Sequence, residues 1–260
     1  MANDDKIKNN NQSLEKALRI IEYMAENRQP VRLQDIAQQL GYPASTVIRF
    51  LATLEKNNYV KQNPETLRYS LTLKLSKIGT MVYEQYNMRD LVKPYLVELV
   101  HKVGESACLA IEENNRAVYI DVQSGPSNIL QVMQRIGKEA PLHCTGVGKL
   151  LLLNHDRETL RTRVEKEGLQ RLTHHTITSY ESLQSELEQV SGKGYALDDE
   201  ECEIGARCVA APIRDYTSHI VASISVSGPV SRMNMQKIEF IRQHVIETAN
   251  EISKVLGYEG

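Results

Sequence analysis

The first chemically suggestive feature of the chain is a set of polar side chains that recurs at helical spacing. The set comprises Ser45, Thr46, Arg49 and Thr53. An arginine guanidinium can donate two hydrogen bonds to a guanine edge or pin a phosphate, and hydroxyls in the first turn of a helix lie where its N–H groups favour phosphate. The set therefore predicts a contact with nucleic acid; the alternative is an ordinary solvated helix face.

The residues around this set predict a helix-turn-helix that would present it. Ile36 anchors a short helix over residues 33–40, and Gly41 supplies the left-handed conformation that a tight turn demands. The second helix is expected to end near residue 57, and its polar side could then enter a major groove. The apolar residues expected to bury its inner face are Val47, Phe50 and Leu51.

A helix before this motif and a hairpin after it complete the predicted domain. Ser13 is the expected N-cap of the preceding helix, and two short strands flank the turn-rich residues 63–66. On the hairpin, Lys61 and Arg68 can reach the DNA backbone or the minor groove. Helix, helix, turn, helix, hairpin is the order of a winged helix-turn-helix, which we predict for residues 13–72.

The rest of the chain predicts a second, larger domain. Residues 1–12 are polar and are expected to form a disordered arm, a linker helix is expected within residues 73–90, and the second domain is expected over residues 91–260. The expected helices of that domain cover residues 91–103, 148–153, 156–167, 179–193 and 233–256, and its strands 107–112, 117–123, 129–133, 207–213 and 219–227. Helices flanking a mostly antiparallel sheet make the whole chain α+β.

Length and charge agree with two domains of which only the first meets nucleic acid. The chain has 260 residues, 41% of them hydrophobic, and a formal net charge of −2. Its first 75 residues carry 11 Lys and Arg against 8 Asp and Glu, a modestly basic front that fits a local DNA contact. The sequence contains no apolar run near the roughly 18 residues of a membrane span, and the N-terminus lacks a hydrophobic signal region, so we expect a cytoplasmic protein without membrane contact.

Cysteine spacing argues against a metal site. The four cysteines are Cys108, Cys144, Cys202 and Cys208. They show no C-x-x-C spacing, so in a reducing compartment we expect free thiols and no structural metal.

The segment Gly146-Val147-Gly148-Lys149 invites comparison with a phosphate-binding loop. That motif requires glycine at position 143 and a hydroxyl at position 150, where this chain has His143 and Leu150. The sequence also lacks G-x-S-x-G, and no set of nucleophile, base and orienting group can be assembled. We therefore expect no catalytic residues and no cofactor.

Several segments, in order and at matching spacing, resemble the IclR family of bacterial transcriptional regulators. The resemblance covers about residues 12–257. The N-terminal segments are SLEKALRIIEYM, DIAQQLG, STVIRFLATLEKNNYV and RYSLTLKLSKIG, and the C-terminal segments are LHCTGVGKLLL, GYALDDEECEIGARCVAAPIRD and SISVSGPVSRM.

The resemblance implies a winged helix-turn-helix followed by a GAF-like effector domain. It implies homodimers, often paired into tetramers, on palindromic double-stranded operators. Family members act as repressors, activators or both, and many control the catabolism of organic acids, sugar acids or aromatic compounds. We expect a repressor; the rival interpretation is a metabolite-binding enzyme with an accessory DNA-binding domain.

The resemblance also implies where a carboxylate effector binds. The segment Thr145-Gly146-Val147-Gly148 matches the family's backbone-amide site for the effector carboxylate, and we expect Gly146, Val147 and Gly148 to bind it. Polar positions of the pocket are matched by Asp198, Cys208, Ser225 and Ser227. Exposed N–H groups at a helix start do favour anions, and serines two apart on a strand share a face. The plainer alternatives are turn glycines, a solvated acidic run at Asp198 and a core cysteine at Cys208.

Overall fold

Two structural units divide the chain, Met1–Tyr86 and Asn87–Gly260. The structure is a computed structural model, and it describes residues 11–83, 87–126 and 135–260. Within the described residues, no helix combines the length and the apolar character that crossing a bilayer requires.

The first unit has the predicted winged helix-turn-helix order. Its elements are α1 (Gln12–Glu26), α2 (Leu33–Leu40), α3 (Ala44–Lys56), β1 (Val60–Gln62), β2 (Tyr69–Leu71) and α4 (Lys74–Tyr83). The strands β1 and β2 form an antiparallel hairpin, and Val31 in the turn between α1 and α2 bridges to Tyr69 of β2. The hairpin is therefore attached to the helices that precede it.

Apolar periodicity explains how α2 and α3 pack. Ile36, Val47 and Leu51 are fully buried, as the spacing predicts, whereas Phe50 is only half-buried because it lies at the edge of the inner face. Gly41 ends α2 with φ of 65°, the left-handed conformation expected of it.

The start of α1 differs from the prediction. Asn11, not Ser13, is the N-cap, because its side-chain oxygen accepts hydrogen bonds from the backbone amides of Ser13 and Leu14. Gln12 is already helical, and residues 1–10 of the predicted disordered arm lie outside the described residues. The predicted linker helix begins as α4 at Lys74, and residues 84–86 lie outside the described residues.

The second unit contains six strands and five helices in its described part. They are α5 (Met88–Val103), β3 (Ser106–Glu113), β4 (Arg116–Gln123), β5 (Glu139–Pro141), α6 (Gly146–Leu151), α7 (Arg157–Glu167), α8 (Tyr180–Lys193), β6 (Ala196–Asp199), β7 (Ala206–Arg214), β8 (Ile220–Pro229) and α9 (Met235–Val255). The strands form one sheet of order β5-β4-β3-β8-β7-β6, and every neighbouring pair is antiparallel. The predicted α+β class with an antiparallel sheet is confirmed.

Alternation along the strands gives the sheet two different faces. Val209, Ala211 and Ile213 of β7 point into a core shared with α5 and α9. Cys208 and Ala210 take the intervening positions and face α6. One face is thus closed by two long helices, and the other receives the short helix α6.

Several element predictions differ from the structure, and one falls on residues that the structure does not describe. The strand expected over residues 129–133 lies outside the described residues. The edge strand β5 was not predicted, because three residues are too few to show alternation. Helix α5 begins at Met88, earlier than residue 91, and carries Pro94 in its first turns, where burial of Val92 and Leu96 offsets the lost amide donor.

The chain passes very close to itself at Gly148. A Cβ on this residue would lie 2.4 Å from both the Cα and the carbonyl oxygen of Leu142. No side chain can occupy that space unless the backbone moves, so this position of α6 requires glycine.

We expect Gly148→Ala to lower the free energy of unfolding by about 1–3 kcal/mol, because the added methyl overpacks a contact made by backbone atoms. Gly192→Ala is the matched control. Gly192 is exposed near the C-terminal end of α8, and a Cβ there would meet nothing within 4 Å. This control should be neutral or stabilising by up to about 1 kcal/mol. Urea unfolding checks both, and equal losses in the two variants would contradict the close contact.

Candidate DNA-binding surface and effector pocket

The polar side of α3 faces outward, as the spacing predicts. Ser45 and Arg49 are exposed and Thr46 is half-buried, while Val47 and Leu51 anchor the opposite side. Within the described residues, no hydrogen bond or ion pair engages the Arg49 guanidinium. The helix can therefore offer this group to an external partner.

A shallow groove beside α3 adds residues from α1. Its walls are Ser13, Lys16, Thr46, Arg49, Phe50 and Thr53, around about 230 Å³. Lys16 brings a second cation next to Arg49, and its Nζ lies 5.6 Å from the ring centre of Tyr42. Lys16 was not predicted, because helical spacing within α1 carries no information about the neighbours of α1 in α3.

Two other residues of α3 change the predicted set. Thr53 Oγ1 donates a hydrogen bond to the Arg49 carbonyl oxygen at 2.9 Å, so its hydroxyl is already engaged along the helix. Ile48 is 49% exposed on the outer side, an unusual place for a large apolar residue. An apolar side chain there suits the methyl group of thymine.

The hairpin offers one exposed and one tethered cation. Lys61 is exposed on β1. Arg68 is half-buried, and its guanidinium donates to the Pro30 carbonyl oxygen at 2.9 Å. Arg68 thus fixes the hairpin to the turn between α1 and α2, and Lys61 is the better placed of the two for a phosphate.

In the second unit, small side chains cover the sheet face toward α6. They are Cys108, Ala110, Cys208, Ala210, Ser223, Ser225 and Ser227. Helix α6 can therefore approach closely: a Cβ on Gly146 would lie 3.1 Å from Ala210 Cβ and 3.5 Å from Cys208 Sγ. The helix does not cover the whole face, and a cavity remains beside it.

This cavity holds about 240 Å³ and combines several of the predicted pocket residues with others. Its lining includes Tyr119, Lys138, Thr145, Asp198, Cys202, Cys208 and Ser227. Asp198, Cys208 and Ser227 are thus brought together by the antiparallel register, in which Cys208 opposes Asp198 on β6 and Ser227 on β8. Tyr119 and Lys138 were not predicted, because neither belongs to a recognisable motif.

Four other predicted pocket residues do not line the cavity. Gly146, Val147 and Gly148 form the buried start of α6, and Ser225 lies behind the wall, where its hydroxyl interacts with the thiols of Cys108 and Cys208. The two glycines here serve close packing within the chain.

The start of α6 nevertheless borders the cavity through its N-cap. Thr145 lines the cavity, donates to the Pro141 carbonyl oxygen at 2.9 Å and accepts from the Gly148 amide at 3.2 Å. Among the described residues, none accepts a hydrogen bond from the amides of Gly146 and Val147. Such unpaired amides at a helix start favour a nearby anion.

Asp198 is the titratable group of the cavity. Its Oδ1 accepts from the amides of Glu201 at 2.9 Å and Cys202 at 3.3 Å. Burial outweighs these bonds, and together with the charge of Glu201 it raises the pKa of Asp198 to about 7. Near neutral pH the carboxyl can therefore accept or donate a hydrogen bond to a ligand.

A buried cation lies next to this acid. Lys149 is 0% exposed, and its Nζ donates to Glu186 Oε1 at 2.9 Å and to Glu201 Oε1 at 2.6 Å. The two carboxylates compensate the cost of burial and raise the pKa of Lys149 above its ordinary value. Lys149 therefore has a structural role, joining α6 to α8 and to the turn after Asp198.

Comparison with known proteins gives the family of both units. The model of the IclR helix-turn-helix domain matches residues 13–64, and the model described as bacterial transcriptional regulator IclR C-terminal matches residues 80–254. The chain belongs to the IclR family. The predicted family is thus confirmed.

Two IclR-family proteins from Escherichia coli K12 show how far the similarity extends. The transcriptional regulator XynR is 33% identical over 247 residues, covering 95% of this chain and 98% of its own. The transcriptional repressor IclR is 32% identical over 248 residues, covering 95% and 90%. Because these relatives are regulators, the predicted DNA-binding transcriptional regulator is confirmed and the enzyme alternative is not favoured.

A solved IclR structure has the same fold. The crystal structure of Thermotoga maritima IclR aligns with a TM-score of 0.63 at 32% identity, covering 95% of this chain and 99% of the other. The similarity spans both units of this IclR-family chain.

The raised pKa of Asp198 makes stability depend on pH. The native carboxyl holds its proton to about pH 7, whereas the carboxyl in the unfolded chain releases it near pH 4. Between these two values the unfolded state binds fewer protons than the native state, so the free energy of unfolding falls as the pH rises. Asparagine stays neutral and keeps the Oδ1 acceptor. We expect Asp198→Asn to be more stable than wild type above pH 7, by up to about 4 kcal/mol, with the difference shrinking toward pH 4.

Urea unfolding at several pH values measures this effect. Asp199→Asn is the matched control, since its side chain is 58% exposed and paired with Arg207. The control should not gain stability as the pH rises. If the free energies of unfolding of Asp198→Asn and wild type differ by the same amount from pH 5 to pH 8, the pKa of Asp198 is not raised to about 7 in the native state.

Proposed function

We propose that this IclR-family chain is a cytoplasmic repressor that binds a palindromic operator as a homodimer or a pair of dimers. Its DNA affinity is set by a small carboxylate bound in the cavity beside α6. The observation that carries the proposal is the separation of two polar sites: an exposed cationic helix face in the first unit and an acid of near-neutral pKa inside a cavity of the second. Repression is also supported by the relative named acetate operon repressor in Salmonella typhimurium, which is 32% identical.

The DNA contact uses α3 as the recognition helix. Arg49 and Ser45 project from its outer side, and Lys16 of α1 and Lys61 of β1 supply further cations. Arg49 suits a guanine edge and the lysines suit phosphates. Two copies related by a twofold axis would place one recognition helix in each half-site.

We expect Arg49→Ala to weaken binding to the DNA upstream of the chain's own gene by roughly 5- to 150-fold, because a two-pronged base contact contributes about 1–3 kcal/mol. Arg161→Ala is the control, as it removes the same charge from an exposed position of α7. Fluorescence anisotropy with the labelled fragment measures both. If Arg49→Ala and Arg161→Ala bind the DNA fragment with equal affinity, Arg49 does not contact the DNA.

The effector contact combines charge and hydroxyl groups. Lys138 supplies an exposed cation at the cavity, Ser227 a hydroxyl, and Asp198 a carboxyl that can donate a proton to a hydrogen bond when it is neutral. A small organic acid matches this set, since its carboxylate meets donors and its remaining polar atoms meet the serine and the acid. An anion binds less well when Asp198 is ionised, so affinity should fall as the pH rises through about 7.

Thermal shift with a panel of small oxoacids, sugar acids and aromatic acids tests the effector site. A specific ligand at 100 times its dissociation constant should stabilise the protein by about 2.7 kcal/mol. Wild type should bind more tightly at pH 6 than at pH 8, whereas Asp198→Asn should lose that difference. An active acid whose affinity shows the same pH dependence in both proteins would place the effector elsewhere.

Regulation requires the effector to distinguish two arrangements of the DNA-binding units. A ligand with equal affinity for both could not change operator occupancy. The active acid should therefore shift the DNA-binding curve of the full chain, and light scattering of the complex should give an even number of chains. If no acid alters DNA binding, the chain would be a DNA-binding protein whose operator affinity is not regulated by a carboxylate.

A further inference from the structure

The second unit contains another cavity, separate from the one beside α6. It holds about 140 Å³ and lies between the segment that follows β5, helix α7 and residues 168–170. Among the described residues, Pro141 alone lines both cavities. We call this one the His143 cavity, after a histidine in its wall. A ligand bound here would therefore meet side chains that the proposed effector does not.

Most of the wall of the His143 cavity is apolar. Six aliphatic side chains, all buried or half-buried, line it: Leu142, Leu152, Leu160, Val164, Leu169 and Leu183. An apolar cavity of roughly 150 Å³ takes one benzene ring. The volume and the wall of the His143 cavity thus fit a ligand the size of a single six-membered ring, whose burial would remove apolar surface from water.

The histidine adds a buried polar group to this apolar wall. His143 is 7% exposed, and its Nε2 lies 3.1 Å from the carbonyl oxygen of Gln170, which also lines the cavity. A carbonyl oxygen can only accept a hydrogen bond, so Nε2 carries a proton and donates. Burial lowers the pKa of His143 despite that bond, and the charges of Arg116 and Lys149 lower it further. The ring is therefore neutral near pH 7, and Nδ1 is an acceptor.

This acceptor has no partner in the described part of the chain. None of the described residues donates a hydrogen bond to His143 Nδ1. Two other polar pairs at the cavity satisfy each other, since Arg163 is 3.0 Å from a Glu112 carboxylate oxygen and Asn115 donates to Glu167 at 2.9 Å. An unsatisfied buried acceptor is costly. A ligand that donates one hydrogen bond would remove that cost.

The free acceptor also selects against the acids that suit the other cavity. A carboxylate would bring its lone pairs against the lone pair of Nδ1, whereas a hydroxyl brings a proton. Arg116 lines the same cavity, and its Nε is 4.0 Å from a carboxylate oxygen of Glu139, a loose pair. The guanidinium can donate to the oxygen of a hydroxyl that donates to His143.

We propose that the His143 cavity is a second ligand site, which takes a small apolar ring carrying one hydroxyl donor. Phenol is the simplest aromatic member of this class. The ring would pack against the aliphatic wall, and the hydroxyl would donate to His143 Nδ1. Binding here requires neither DNA nor the proposed effector.

Isothermal titration calorimetry of the full-length protein with phenol tests the site. We expect a dissociation constant of about 1 mM or below, as the size of the ligand allows. Val164→Phe would fill the cavity from α7 and should abolish binding. Glu165→Phe is the matched control, because it places the same ring on the exposed side of α7 and should bind phenol as wild type does. No binding by wild type up to about 10 mM phenol would overturn the proposal.

A second variant isolates the hydrogen bond. The glutamine amide in His143→Gln can replace the Nε2 donor to the Gln170 carbonyl oxygen, but it lacks an acceptor at the place of Nδ1. This variant should bind phenol roughly 2- to 10-fold more weakly, as expected for one neutral hydrogen bond. Fluorobenzene has nearly the shape of phenol without the donor, so its affinity should not change. His101→Gln, at an exposed position of α5, should bind both ligands as wild type does.

Two outcomes of this comparison contradict the assigned contact. If His143→Gln binds phenol as tightly as wild type, Nδ1 does not accept from the ligand. If phenol and fluorobenzene lose affinity equally, the substitution changes the shape of the cavity and the donor is not required.

A crystal structure of the wild-type protein with phenol locates the ligand directly. The ring should lie between α7 and the segment after β5, with its oxygen beside His143 Nδ1. Phenol found only in the cavity beside α6, or only on the surface, would overturn the proposal even if a variant fails to fold. Since none of these measurements involves DNA, their failure would leave the proposed function standing.

Discussion

The arrangement of the second unit depends on how closely one short helix approaches the sheet. Gly148 lies against the backbone of Leu142, and Gly146 lies against Ala210, so the two glycines set the position of α6. The small side chains of the facing strands leave room for this contact and, beside it, for the cavity. Any residue that pushed the helix outward would change the cavity, the N-cap at Thr145 and the buried ion pairs together.

Electrostatics joins the cavity to the packing of α6. Burial raises the pKa of Asp198 to about 7, so its carboxyl can gain or lose a proton near neutral pH, while Glu201, three residues on, is paired with the buried Lys149. A charge placed in the cavity therefore meets one acid that can adapt, and this acid accepts a hydrogen bond from the amide of Glu201, a member of a fixed ion pair. This combination suits a site that must hold an anion without losing its own structure.

The sequence predicted much of the first unit and less of the cavity, for physical reasons. The outer face of α3 follows from helical periodicity alone, and Gly41 follows from the steric demand of one turn. Asn11 and Ser13 are both good capping residues, so composition could not choose between them. Lys16 and Tyr119 reach their sites only through the packing of separate elements, which no local pattern encodes. The register of three strands, rather than any motif, brings Asp198 to its neighbours.

The tether of the hairpin affects the entropy of DNA recognition. Arg68 holds the Pro30 carbonyl, and the bridge between Val31 and Tyr69 lies beside it, so the wing cannot swing independently of the helices. A wing that is already rigid in the unbound protein loses little freedom when it meets a duplex, and more of the contact energy remains as affinity. In the dimer that we propose, the same stiffness would keep each wing from adjusting to a mismatch in half-site spacing, so the spacing itself would help to select operators.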